Sequence, residues 1–216
     1  MYFWGIDTTF IAIATIVGLI MLFYRSDRIH LKLFPFFLLY TLLNELFAGY
    51  MVEHMRDTTE IYNVYAIVQF LFYTYLLSNF LQNKNVIRLV RFIQPIYVLL
   101  SFLNLLFFQT LRVYNSITYS IGCLVIVAMS IYYFYELFKQ KRIVQLTHEP
   151  AFWISTGLLF FFTCSFPLLA TANILEELSP ATLEALQKLL TLLNVMLYSI
   201  FTISFLCQIK VPKPTS

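Results

Sequence analysis

The stretch ITYSIGCLVIVAMSIYYFYELFKQKR, from Ile117 to Arg142, decides the class of this chain. It runs apolar for 22 residues to Phe138 and then meets Lys139, Lys141 and Arg142. A helix rises about 1.5 Å per residue, so roughly 20 such residues cross ~30 Å of hydrocarbon. The basic cluster at the end marks the side on which that crossing stops. Six more stretches repeat the apolar pattern. Together they predict spans over Ile6–Tyr24, Leu31–Met51, Ile61–Leu81, Phe92–Phe108, Ile117–Phe138, Ala151–Leu175 and Leu189–Ile209. The expected fold is all-α, a polytopic transmembrane bundle of seven helices that fills residues 1–216 as one domain.

Composition agrees. Hydrophobic residues make up 60% of the chain and charged residues 12%, against about 45–50% and about 25% in soluble proteins. A soluble domain this apolar would not keep its surface wet. The gaps near Lys139–Glu149 and Glu176–Gln187 are loop-sized, and no separate soluble domain is expected. A net charge of +3 is too small and scattered for a nucleic-acid surface. Cys123, Cys164 and Cys207 all fall inside apolar runs, where they read as packing residues rather than a disulfide framework.

The basic residues alternate by gap. Arg25, Arg28 and Lys32 fill the first, Lys84, Arg88 and Arg91 the third, and Lys139, Lys141 and Arg142 the fifth. Lys210 and Lys213 lie in the tail, and only Arg56, Arg112 and Lys188 fall on the other side. Cytoplasmic loops carry the excess of Lys and Arg, so the pattern predicts an outer N-terminus and a cytoplasmic C-terminus. The start has no basic residue before the first apolar run, which reads as a retained helix rather than a cleaved leader. Tyr2, Phe3 and Trp4 suit the outer headgroup level and Trp153 the inner one. Ser179 followed by Pro180 reads as a helix cap and first helical residue.

Function is sought where polar groups are kept in an apolar medium. Glu45 is the one acid well inside a predicted span. A carboxylate there must be protonated, paired or facing a wet cavity. Asn44 precedes it and points ~100° away, so it needs a different partner. Tyr62, Tyr65, Gln69 and Tyr73 lie along one side of the third span. Lys188, Thr191, Asn194, Tyr198 and Thr202 do the same on the seventh. Glu45, Gln69, Asn104 and Asn194 have similar depth, which predicts one tyrosine-lined polar cavity open to the outside. Such residues also serve as interhelical glue. Lys188 is the nearest candidate cation for Glu45. Pro167 removes a backbone hydrogen bond in the sixth span and is a candidate hinge, with Pro35 and Pro95 as weaker bends.

No hydrolase, metalloprotease or P-loop pattern occurs, and no catalytic residue is assigned. His30, His54 and His148 fall on different sides of the membrane, so no metal site and no cofactor is expected. No Gly-x-x-x-Gly pair and no internal repeat is present.

Four segments carry a resemblance: His30-Leu-Lys-Leu-Phe-Pro-Phe-Phe, Tyr62-Asn63, Pro150 to Phe161, and Leu197 to Cys207. They resemble segments of small, uncharacterised multipass membrane proteins of bacteria. The resemblance implies a bacterial inner-membrane location and brings no activity or catalytic residue with it. The leading expectation is a non-enzymatic sensor or partner-regulating membrane protein. Its partners would be membrane lipid and a membrane or cytoplasmic signalling protein. A proton-coupled carrier of small solutes using Glu45 is the second expectation, and an intramembrane lipid-modifying enzyme the third.

Overall fold

The computed structural model describes residues 5–24, 29–109, 113–139, 146–170 and 180–207. Among these residues the chain is all-helical, with seven α-helices and no strand. They are α1 (Ile6–Tyr24), α2 (Ile29–Glu53), α3 (Thr59–Ser78), α4 (Lys84–Phe107), α5 (Ser116–Lys139), α6 (Pro150–Ala170) and α7 (Pro180–Leu206). A short 3-10 turn, Leu146–His148, precedes α6. Six helices, α2 to α7, are long and apolar enough to cross a membrane. In α1 the apolar part is Ile6–Leu22, about 26 Å by helical rise. The chain is a multipass membrane protein.

The helices outrun several of the apolar spans. α4 begins at Lys84 and not at Phe92, because the turn carrying Lys84, Arg88 and Arg91 continues the helix above the hydrocarbon. Asn83 caps it, its side chain accepting from the Asn85 amide. Helices α6 and α7 start on Pro150 and Pro180, where a missing N–H is harmless. The Ser179 cap, the Tyr2–Trp4 belt, and Arg25, Arg28, Arg112, Lys141, Arg142, Glu176, Glu177, Lys210 and Lys213 lie outside the described residues.

Packing places α3 at the centre of one side, against α2, α4 and α5. α5 packs on α6, α6 on α7, α7 on α1 and α1 on α2, which closes a ring. α4 lies outside the ring on α3 and α5. It buries only Val90, Tyr97, Ser101, Asn104 and Leu105, whereas α3 buries ten residues. The core is aromatic. Phe37 stacks on Phe72 at 4.0 Å, and Phe34 meets Phe201 edge-on at 4.9 Å. Tyr73 is fully buried where α2, α3, α6 and α7 converge, its ring against Phe37, Phe162 and Phe201. Gly18 allows α1 its close approach, since a Cβ there would come within 3.0 Å of both Phe205 and Pro35.

The α2–α3 reversal sets the face of the candidate site. The Arg56 amide donates to the Met51 carbonyl at 2.9 Å and the Met55 amide to the Val52 carbonyl at 3.0 Å. Met55 adopts a left-handed φ of 54°. This is the Schellman end of a helix, with methionine where glycine is usual. The turn brings the end of α2 against the start of α3, and so Glu45 opposite Tyr62.

Candidate functional site

Glu45 is half-buried on α2, two turns before the helix ends. The Tyr62 hydroxyl of α3 donates to its Oε2 at 3.2 Å. Asp7, in the first turn of α1, lies close enough to act electrostatically on both Glu45 and Tyr62. Its own Oδ1 accepts from the Thr8 amide at 3.0 Å. One carboxylate–phenol bond therefore joins α2 and α3, with a second carboxylate on α1 within electrostatic reach. Among the described residues neither acid has a Lys or Arg partner. Lys188 does not serve Glu45. It pairs with Glu184 on its own helix at 2.8 Å, both side chains largely exposed. Four residues separate them, and that local partner is nearer than anything across the bundle.

Deeper along the same face, Tyr65 gathers a hydrogen-bonded group. Thr41 donates its hydroxyl to the Phe37 carbonyl at 3.1 Å. That proton being used, the 3.2 Å contact between Tyr65 Oη and Thr41 is donated by Tyr65. The Tyr65 oxygen then accepts from Gln69 Nε2 at 3.4 Å, and Tyr198 of α7 is a further partner. Tyr65 and Tyr198 are buried, so this group is packed into the core and does not line open space. Tyr73 lies one turn further in. Its hydroxyl makes no hydrogen bond of normal geometry, with Gln69 among its polar neighbours. Asn44 Nδ2 is likewise buried without a partner. Asn194 is half-buried on α7, one turn before Tyr198.

Asn104 does not join this group, contrary to the expectation of a single cavity. α4 lies outside the ring and turns Asn104 toward the α4–α5 connection. There its Nδ2 donates to Gln109 Oε1 at 2.8 Å and to Asn115 Oδ1 at 2.7 Å. Thr118 also bonds Asn115 Oδ1, and Gln109 Nε2 donates to Ser116 at 3.1 Å. Asn63 of α3, fully buried, ties the connection down. Its Oδ1 accepts from the Asn115 amide at 2.8 Å and its Nδ2 donates to the Val113 carbonyl at 3.1 Å. The cluster is neutral, and every bond in it satisfies backbone or amide groups that would otherwise be stranded near lipid.

A cavity of about 10 Å³ lies on another side of α3, lined by Gln69, Tyr97, Tyr119 and Cys123 with apolar neighbours. That is room for about one water. Gln69 belongs to both sides, bonding Tyr65 and lining the cavity.

Helix α6 stays helical across Pro167 to Ala170, and Thr163 beside it is exposed. Trp153 Nε1 donates to the Thr147 carbonyl at 3.1 Å, a polar tip anchored at the end of its helix. Cys123, Cys164 and Cys207 are free thiols. Among the described residues no three His, Cys, Asp or Glu side chains come together as a metal site.

Three features were not read from sequence. Asp7 gave no signal, because nothing local says which helix α1 approaches. Asn63 entered only beside Tyr62 in the resemblance, and Asn115 gave no signal. Glu136 gave none: it reaches from α5 to accept from the Gln82 amide at 2.7 Å and the Asn83 amide at 3.0 Å.

Such an arrangement of acids and phenols can hold a proton or a small cation and pass a hydrogen-bond change inward. Compared with protein-family models, curated proteins and solved structures, the chain matches none.

Proposed function

We propose that this chain is a non-enzymatic sensor or partner-regulating protein of the bacterial inner membrane, with its N-terminus outside and its C-terminus in the cytoplasm. Its receiving site is the outer-half group Glu45, Asp7 and Tyr62. One observation carries the reading: Glu45 takes a hydrogen bond from the Tyr62 phenol across α2 and α3, the Asp7 carboxylate of α1 is within electrostatic reach, and among the described residues neither acid has a Lys or Arg partner. Two like charges in a partly dry site repel, so a proton or small cation bound between them relieves the conflict. Because Asp7, Glu45 and Tyr62 belong to three helices, occupancy biases how α1, α2 and α3 pack. Tyr65, Gln69, Tyr73 and Tyr198 carry that bias into the core, and Pro167 gives α6 a place to bend. A signal would leave through a separate membrane or cytoplasmic protein.

The test is co-purification of tagged protein from native membranes at two pH values, wild type against Glu45→Gln. A partner whose recovery depends on pH in wild type alone supports the sensor. Repeated recovery with no partner counts against it. Orientation is tested by reagent access to single cysteines placed at Met55 and Asn85, from outside and inside. Met55→Cys should react from outside and Asn85→Cys from inside.

A carrier is the second reading, and Gln69 favours it. This side chain bonds Tyr65 and borders the water-sized cavity between helices, as one link of a proton path would. Flux into proteoliposomes that depends on pH and collapses in Glu45→Gln would select the carrier.

A further inference from the structure

The first two turns of α4 present Lys84, Arg88 and Arg91 at spacings of four and three, all exposed on one side of the helix. None has a carboxylate within ion-pair distance among the described residues. α4 has no acid, and α5 has only Glu136. Glu136 is turned onto the Gln82 and Asn83 amides, so it does not neutralise the stripe. The adjacent end of α5 adds Lys139, exposed and seated 5.7 Å over the Tyr135 ring.

The same side of α4 continues as exposed apolar surface through Pro95, Leu99 and Phe102. α4 is also the least covered helix of the bundle. Arg91 to Leu99 and Phe102 is eight to eleven residues, about 12–17 Å along the axis. That is about half the ~30 Å hydrocarbon thickness, the reach of one acyl chain.

The geometry points to a binding site for one anionic phospholipid on the outer side of α4. Arg88 and Arg91 hold the headgroup phosphate, Lys84 caps it, and an acyl chain lies along Leu99 and Phe102. Guanidinium groups suit the phosphate because their N–H forks match its oxygens in pairs. A second copy of the chain fits less well, because three unpaired cations on each copy would face the contact. The inference stands apart from the Glu45 site and does not depend on it.

The test is native mass spectrometry of the full chain, released from detergent containing equal phosphatidylglycerol and phosphatidylcholine. Wild type should retain one phosphatidylglycerol in preference to phosphatidylcholine. Each cation removed should weaken retention about fivefold, so Arg88→Gln with Arg91→Gln should weaken it about thirty-fold. Arg88→Lys with Arg91→Lys keeps the charge and loses the forks, so retention should fall by less than in the double Gln variant. That separates loss of a headgroup contact from loss of fold. Lys188→Gln, at the far end of α7, should change nothing. Equal retention of both lipids, or an unchanged preference in the double Gln variant, overturns the site. Competition by millimolar inorganic phosphate without lipid would show a bare anion site and also overturn it. So would rapid disulfide pairing of Leu99→Cys in a cysteine-free background, since that marks a second copy as the occupant.

Discussion

Replacing Asn63 with alanine should loosen the α4–α5 connection from the bundle, and the size of the effect follows from two bonds. Asn63 is fully buried, with its Oδ1 on the Asn115 amide and its Nδ2 on the Val113 carbonyl. Alanine strands the Asn115 N–H, itself buried, at about 1–3 kcal/mol. The Val113 carbonyl belongs to an exposed residue and can find other partners, so its share is small. A loss of about 2 kcal/mol is expected. At about 2–4 °C per kcal/mol for a chain of this size, the melting midpoint in detergent should fall about 4–8 °C. Asn79→Ala is the control. That side chain is exposed and bonds only the Tyr75 carbonyl of its own helix, so its change should stay within about 0.5 kcal/mol. A midpoint for Asn63→Ala within a degree or so of wild type would mean that the buried amide does not hold the connection.

Three further outcomes follow from the packing. Gly122→Ala puts a Cβ within 2.9 Å of Tyr97 Oη and 3.1 Å of Phe70. It should cost about 1–3 kcal/mol in a melting experiment, and Tyr97→Phe in the same chain should return part of that. Tyr73→Phe removes a fully buried hydroxyl that lacks a normal hydrogen bond. The midpoint should hold or rise, where an ordinary buried tyrosine would lose about 1 kcal/mol. Met55→Gly relieves a left-handed φ of 54°. It should raise stability by up to about 1 kcal/mol with no change in any Glu45-dependent readout.

The helices were legible because lipid imposes length. An apolar run reports depth in hydrocarbon, and it found the helices that fill that depth. It did not report where the backbone stops being helical, so Lys84 to Arg91 read as a gap although they form the first turns of α4. The tyrosine stripe of α3 was legible from its spacing, and two of its members bond α2, Tyr62 to Glu45 and Tyr65 to Thr41. Asn104 was misassigned because depth alone does not say which neighbour a helix faces. α4 sits outside the ring, a fact set by tertiary packing. Asp7 was invisible as a site member, and Glu136 as the acceptor at the start of α4, for the same reason. Each acts on residues far away in sequence, and neither stands out from its own helix.

The central claim is that Glu45 and Asp7 share a proton or cation on which the bundle's packing depends. Its most direct test is the melting midpoint of the purified protein in lipid nanodiscs across pH, wild type against Glu45→Gln. A charged Glu45 beside Asp7 in a partly dry site is repelled, so wild type should lose stability as pH rises. The amide in Glu45→Gln cannot ionise, so the variant should lose that slope and keep the low-pH midpoint. Added small cation should restore the wild type at high pH and leave the variant unmoved. Parallel profiles for the two proteins, with no cation effect on either, would contradict the account.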